Sequence, residues 1–227
     1  MRGRGFSARD PNPQNYQPGV YVNDILALMD TVQAPSAAFI GTSMGGLLAM
    51  MLGALHRGRV SGIVLNDIGP EADPAGIERI KGYAGRLPQP KNWSDAVAQT
   101  KMMFGEAWPD LDEERWSALA RRGFREDAAG ILRVDADPMI GEVMRASPSP
   151  APTLWPYWTL LRAIPMLAIR GAHSDILSAA TFARMKAEMP DLTPLEVARR
   201  GHVPLLDEPE CLEAIDAFLA TCATTSE

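Results

Sequence analysis

The sequence predicts an α/β fold: a small parallel sheet flanked by helices and interrupted by a helical insertion. Three observations predict it. Short apolar runs at 37–40, 61–65, 165–170 and 193–198 read as buried strands. Helix-period patterns follow each of them, and that alternation implies a parallel sheet covered by helices. The alternation stops between Pro70 and Pro156, where the chain is helical, charged, punctuated by prolines and without a strong strand. With 227 residues, 46% of them hydrophobic, the chain can bury a substantial core.

Taken in order, residues 20–32 form an amphipathic helix with Val22, Ile25, Leu26 and Met29 on one face. A strand at 37–40 and a helix at 47–55 follow, then a second strand ending near Leu65. The inserted segment reads as a lid over 70–156, between core segments 1–69 and 157–227. Its flanks are hinge-like: Asp67-Ile68-Gly69-Pro70 on one side and Ser147-Pro148-Ser149-Pro150-Ala151-Pro152 on the other. All five tryptophans, Trp93, Trp108, Trp116, Trp155 and Trp158, fall near or within it. They supply either an aromatic pocket wall or a small core of the lid itself, as do Met102, Met103 and Phe104. Beyond it come strand 165–170, helix 178–189, strand 193–198 and helix 209–222.

The chemistry concentrates at Phe39-Ile40-Gly41-Thr42-Ser43-Met44-Gly45-Gly46. A G-x-S-x-G pattern between a strand and a helix makes a sharp turn that lifts the serine hydroxyl above the strand ends. Gly41 and Gly45 are expected to supply the room such a turn needs. The helix behind Ser43 begins with unpaired N–H groups, which favour a developing oxyanion. A serine hydroxyl needs a base, usually a neutral histidine oriented by a carboxylate.

Three histidines are available. His202, in Arg200-Gly201-His202-Val203-Pro204, follows a strand on a loop and is the expected base. His56 sits where the helix after the elbow ends and is expected to cap it. His173, in Gly171-Ala172-His173-Ser174-Asp175, reads as a loop residue. Two carboxylates end buried strands. Asp175 is the leading acid, with helix capping as its ordinary alternative. Asp67, in Asn66-Asp67-Ile68-Gly69-Pro70, is the competitor, either as the acid or as a hydrogen-bonding support of the elbow.

These blocks, with Gly201-His202-Val203-Pro204-Leu205-Leu206-Asp207-Glu208-Pro209, resemble the α/β-hydrolase superfamily over nearly the whole chain, in particular its capped esterases, lactonases and C–C bond hydrolases. The resemblance implies a triad of Ser43, Asp175 and His202, with Asp67 as alternative acid, an oxyanion donor at the Met44 amide, no cofactor and no metal. Arg2-Gly3-Arg4-Gly5-Phe6-Ser7 resembles a block that in this family follows several strands and an H-G-type oxyanion loop. The chain is therefore expected to be a fragment, or else a natural short form. A four-stranded sheet with the elbow strand at its edge is the expected consequence. Such an edge allows a homodimer.

Other classes fare poorly. A net charge of -6 without a basic block argues against nucleic-acid binding. No apolar run reaches the roughly 18 residues of a membrane helix. The first ten residues do not read as a secretion signal. Cys211 and Cys222 lie eleven residues apart on one expected helix, roughly 16 Å along its axis, too far for a disulfide. A reduced, cytoplasmic setting is the simple expectation. Histidine and cysteine spacing supports no metal site, and no P-loop lysine follows the glycines. A dinucleotide module would leave Asp175 and His202 without a role. An inactive remnant or a small-molecule-binding relative is the alternative to a hydrolase of small or medium esters, lactones or related acyl and C–C substrates.

Overall fold

The structure is a computed structural model and describes residues 1–148 and 150–224; Ser149, in the second expected hinge, lies outside the described residues. In chain order the elements begin with α1 (Pro18–Thr31), β1 (Ala37–Thr42), α2 (Met44–Leu55) and β2 (Val60–Asn66). There follow α3 (Pro74–Tyr83), α4 (Trp93–Phe104), α5 (Glu113–Gly123), β3 (Phe124–Glu126), β4 (Leu132–Val134) and α6 (Pro138–Ala146). The last group is α7 (Trp155–Trp158), β5 (Met166–Gly171), α8 (Ala179–Glu188), β6 (Thr193–Val197) and α9 (Pro209–Thr224). The chain divides into two compact units: Pro18–Ile77 with Pro148–Glu227, and Met1–Gln17 with Glu78–Ser147.

The first of these units holds a four-stranded parallel sheet in the order β1-β2-β5-β6. Its inner strands are covered on both faces, which is why they read as unbroken apolar runs rather than alternating ones. Ile63, Val64, Leu65, Leu167 and Ile169 are fully buried. Each such side chain contributes roughly 1.5–3 kcal/mol relative to exposure. Against this sheet α9 lays Cys211, Ile215, Phe218 and Cys222, which join Val64, Leu167, Ile169 and Val197 in one cluster. Neither cysteine is in a disulfide. β1 is an edge strand, and Ile40 on it is exposed.

Strand register aligns the C-terminal ends. Thr42 pairs with Asn66, Asn66 with Ile169, and Gly171 with Val197. The residues that immediately follow, Ser43, Asp67 and Ala172, therefore emerge in one row. In open parallel sheets that row is where ligands and reacting groups gather.

The other unit differs in two ways from the sequence reading. It contains an antiparallel pair, β3 with β4, that the charged sequence Arg125-Glu126-Asp127 concealed. Three-residue strands are too short to show periodicity. The turn between them is held locally: the Asp127 carboxylate accepts from the N–H groups of Ala129 and Ile131 at 3.0 Å each. Second, Met1–Gln17 belongs here and not with the sheet. The Asp137 N–H donates to the Gly3 carbonyl at 2.7 Å, and the Tyr16 hydroxyl donates to the buried Asp137 carboxylate at 2.8 Å.

The tryptophans divide between the units. Trp108 is stacked on Phe104 with ring centroids 4.6 Å apart and lies 5.8 Å from Trp116; both tryptophans are buried. They form an internal core of the inserted unit. Trp155 and Trp158 lie with the sheet, their rings edge-to-face at 6.1 Å, and Trp158 is 1% exposed. A groove of about 340 Å³ runs along α4 and α5, lined in part by Trp93, Lys101, Glu113 and Arg121.

Candidate active site

The turn after β1 carries Ser43 at φ 49° and ψ −115°, a left-handed backbone that an L-residue adopts only under constraint. Such a conformation costs about 1–3 kcal/mol and persists where surrounding structure enforces it. The enforcement here is visible. The Ser43 N–H donates to the Asn66 carbonyl at 3.0 Å, and the Ser43 carbonyl accepts from Gly46 at 2.9 Å and Leu47 at 3.2 Å.

Glycine is required at Gly41, where an added Cβ would come within 2.5 Å of the Gly45 carbonyl carbon and oxygen. The second crowded position is Gly46 and not Gly45. A Cβ at Gly46 would strike Ile68 and lie 3.0 Å from the Gly41 carbonyl, whereas one at Gly45 would meet nothing within 4 Å. The helix start curls Gly46, not Gly45, back over the strand. This corrects the expectation drawn from the motif spacing.

His202 comes from the loop after β6. That loop lies directly against Gly171: a Cβ there would collide with the carbonyls of Arg200 and Gly201. The loop is pinned further by a buried pair. Arg200 Nε donates to Glu208 Oε1 at 2.6 Å, and the Leu205 N–H donates to the same oxygen at 3.1 Å. Burial pushes the Glu208 carboxyl up, but the hydrogen bonds from Arg200 and from backbone N–H groups, with the Arg200 charge, hold it below its ordinary 4.5. Asn66 links three segments, its Nδ2 donating to Thr42 Oγ1 at 3.2 Å and to the Pro204 carbonyl at 2.9 Å.

The structure brings Ser43, His202 and Asp67 into one chain of contacts. His202 Nε2 is 3.0 Å from Ser43 Oγ, and His202 Nδ1 is 2.8 Å from Asp67 Oδ2. A carboxylate only accepts, so Nδ1 carries the proton and Nε2 is left to accept from the serine hydroxyl. Burial deepens along the series: Ser43 is half-buried, His202 is 6% exposed and Asp67 is fully buried. The Ser43 hydroxyl is thus reachable while the groups behind it are shielded from water.

Asp67, not Asp175, holds the imidazole, which corrects the leading expectation. The reason is backbone direction. Asp67 adopts φ 57°, a left-handed conformation just past the end of β2, and its carboxylate meets the loops after β5 and β6. There its Oδ1 accepts from the Gly171 N–H at 2.8 Å, and its Oδ2 accepts from the Ser174 hydroxyl at 2.5 Å as well as from His202. Asp175 is half-buried, with its carbonyl packed against Gly76. His56 caps α2 through its N–H, which donates to the Leu52 carbonyl at 2.7 Å. His173 is exposed and its N–H donates to the Arg200 carbonyl at 2.8 Å. Met44 opens α2, where first-turn N–H groups have no acceptor within the helix.

Sequence reading missed the parts played by Ser174, Asn66 and the Arg200–Glu208 pair. Asn66 and Ser174 lie within blocks already singled out, but nothing in local sequence marks which neighbour a polar side chain will meet. Among the described residues, no group of three or more His, Cys, Asp or Glu side chains is arranged to hold a metal ion. No described helix is long and apolar enough to cross a membrane.

A strained serine between a parallel strand and a helix, in contact with a strand-end histidine, defines the class. The chain belongs to the alpha/beta hydrolase family, whose model matches residues 1–212. Among curated relatives, it is 30% identical over 217 residues to the 3-hydroxybutyrate-oligomer hydrolase of Cupriavidus necator, covering 92% of this chain and 73% of that protein. It is 28% identical over 134 residues to the 2-hydroxymuconate semialdehyde hydrolase of a Pseudomonas species, covering 58% of this chain and 46% of that protein. Among solved structures, an alpha/beta hydrolase from Novosphingobium aromaticivorans superposes with a TM-score of 0.87 at 39% identity, covering 97% of this chain and 78% of that one.

Proposed function

We propose that this protein is a serine hydrolase of carboxylic esters, acting through an acyl-enzyme on Ser43. The contact series Ser43–His202–Asp67, at 3.0 and 2.8 Å, carries this reading. Ser43 Oγ attacks the ester carbonyl carbon while His202 Nε2 takes its proton. The C–O bond to the alcohol breaks as Nε2 returns that proton to the departing oxygen. Water then attacks the acyl carbon with His202 again as base, and Ser43 is released. Asp67 keeps Nδ1 protonated and the ring oriented, and it offsets the imidazolium charge that forms twice per cycle. The Met44 N–H, at the start of α2, donates to the oxyanion. Water is the second substrate.

The similarity to a hydrolase of 3-hydroxybutyrate oligomers favours short hydroxyacid esters within this class. The weaker, partial similarity to a semialdehyde hydrolase makes C–C cleavage the second bond type to assay. The inserted unit is read as the cap that selects the substrate.

Labelling with a fluorophosphonate probe tests the reading. Wild type is expected to label at a single serine, Ser43→Ala not at all, and His202→Ala at least about a hundredfold more slowly. Labelling that Ser43→Ala leaves unchanged would overturn it.

A further inference from the structure

We propose that Ser174 is a positioning residue for the triad acid. This rests on the Ser43–His202–Asp67 reading and deepens it. Ser174 Oγ accepts from the Ile176 N–H at 3.1 Å and from the Leu177 N–H at 2.9 Å. A hydroxyl has two acceptor lone pairs and one proton. With both lone pairs occupied, the proton has one remaining direction, toward Asp67 Oδ2 at 2.5 Å. That oxygen is the same one that accepts from His202 Nδ1.

The carboxylate is therefore gripped from the loop after β5. Gly171 N–H holds Oδ1 and Ser174 holds Oδ2, so the plane of the carboxylate is fixed before the imidazole meets it. Removing the Ser174 hydroxyl leaves Oδ2 with one donor and frees the Asp67 side chain to rotate away from Nδ1. Ser174 touches no reacting atom; it acts through Asp67.

Four variants test this: Ser174→Ala, Ser174→Thr, Ser174→Cys and Asp67→Asn. Each is assayed for kcat and KM on p-nitrophenyl butyrate, with circular dichroism to establish folding. Ser174→Ala is expected to lower kcat about tenfold, as loss of a hydrogen bond to a charged group does, with KM unchanged. Ser174→Thr keeps the hydroxyl and stays within about threefold of wild type. Asp67→Asn loses about a thousandfold or more. A folded Ser174→Ala with wild-type kcat overturns the positioning role. If Ser174→Ala does not fold, Ser174→Cys decides the matter: a thiol is a weak donor and acceptor, so a folded Ser174→Cys with wild-type kcat overturns the positioning role as well. If wild type itself turns over no faster than Ser43→Ala, it is the hydrolase reading that has failed.

Discussion

Ser43 reaches its position through contacts within a few residues and one neighbouring strand end, whereas Asp67 meets His202 across 135 residues of chain. The elbow is a local device: a glycine at 41, a left-handed serine, and a helix whose first turn closes on the serine carbonyl. The acid site is an assembled device, in which the ends of β2 and β5 and the loop after β6 each contribute one part. The difference teaches where each is vulnerable. A local device fails sterically, through a single atom too many. An assembled device fails electrostatically, through one missing partner.

The largest expected effect falls on the assembled side. Asp67→Asn should lower kcat by about 10³–10⁴-fold, because an amide in that place no longer enforces the Nδ1-protonated tautomer. Asp175→Asn should stay within about threefold. Steady-state kinetics on one ester decides between them, and equal losses in both variants would erase the distinction between the two strand-end carboxylates.

Next comes the elbow. Gly41→Ala forces a methyl into the backbone of Gly45 and Gly46, which cannot swing aside. A loss of about 3 kcal/mol or more in unfolding free energy is expected from denaturant titration. A small loss would mean that the turn is softer than its contacts imply.

How much of this was legible in the sequence follows from the same contrast. The strand, Gly41, Ser43 and the helix are contiguous, so their pattern could be read directly. His202 was legible because few histidines compete for its role and it stands on a loop after a strand. The carboxylate that meets His202 was not, because Asp67 and Asp175 both follow apolar strands in similar surroundings. Only the backbone turn at Asp67 and the spacing of β2 and β5 distinguish them. Gly45 was misread for a related reason: a motif gives positions along the chain, while crowding depends on how the helix start curls over the strand.

A smaller effect concerns the loop that presents His202. Glu208 is held below its ordinary value in the fold, so its contribution to stability is present above pH 4.5 and is lost as pH falls through the folded value. Glu208→Gln should therefore lose about 2 kcal/mol near neutrality, because the Arg200 guanidinium loses its charge-assisted hydrogen bond to this carboxylate. Its melting temperature should also fall less steeply than wild type below pH 4.5. Parallel melting curves for the two proteins across that range would show that the pair does not set the acid limb.

The smallest expected change is at Gly45. A methyl there meets nothing within 4 Å, and alanine restricts the unfolded chain. Gly45→Ala should be neutral to about 0.5–1 kcal/mol stabilising in the same titration. A loss comparable to that of Gly41→Ala would restore the simple reading of the motif.

By itself, the sequence determined the alternation of strands and helices, the turn at Ser43 between a strand and a helix, and the place of His202 on a loop after a strand. Those follow from periodicity and from short-range sterics, which neighbouring residues carry with them. The tertiary structure alone decided which carboxylate holds the imidazole, that Ser174 and Gly171 grip it, and that the first seventeen residues belong with the inserted unit. Each of these is a meeting between segments distant in sequence. Register across parallel strands sets such meetings, and register is a property of the folded sheet rather than of any strand in it.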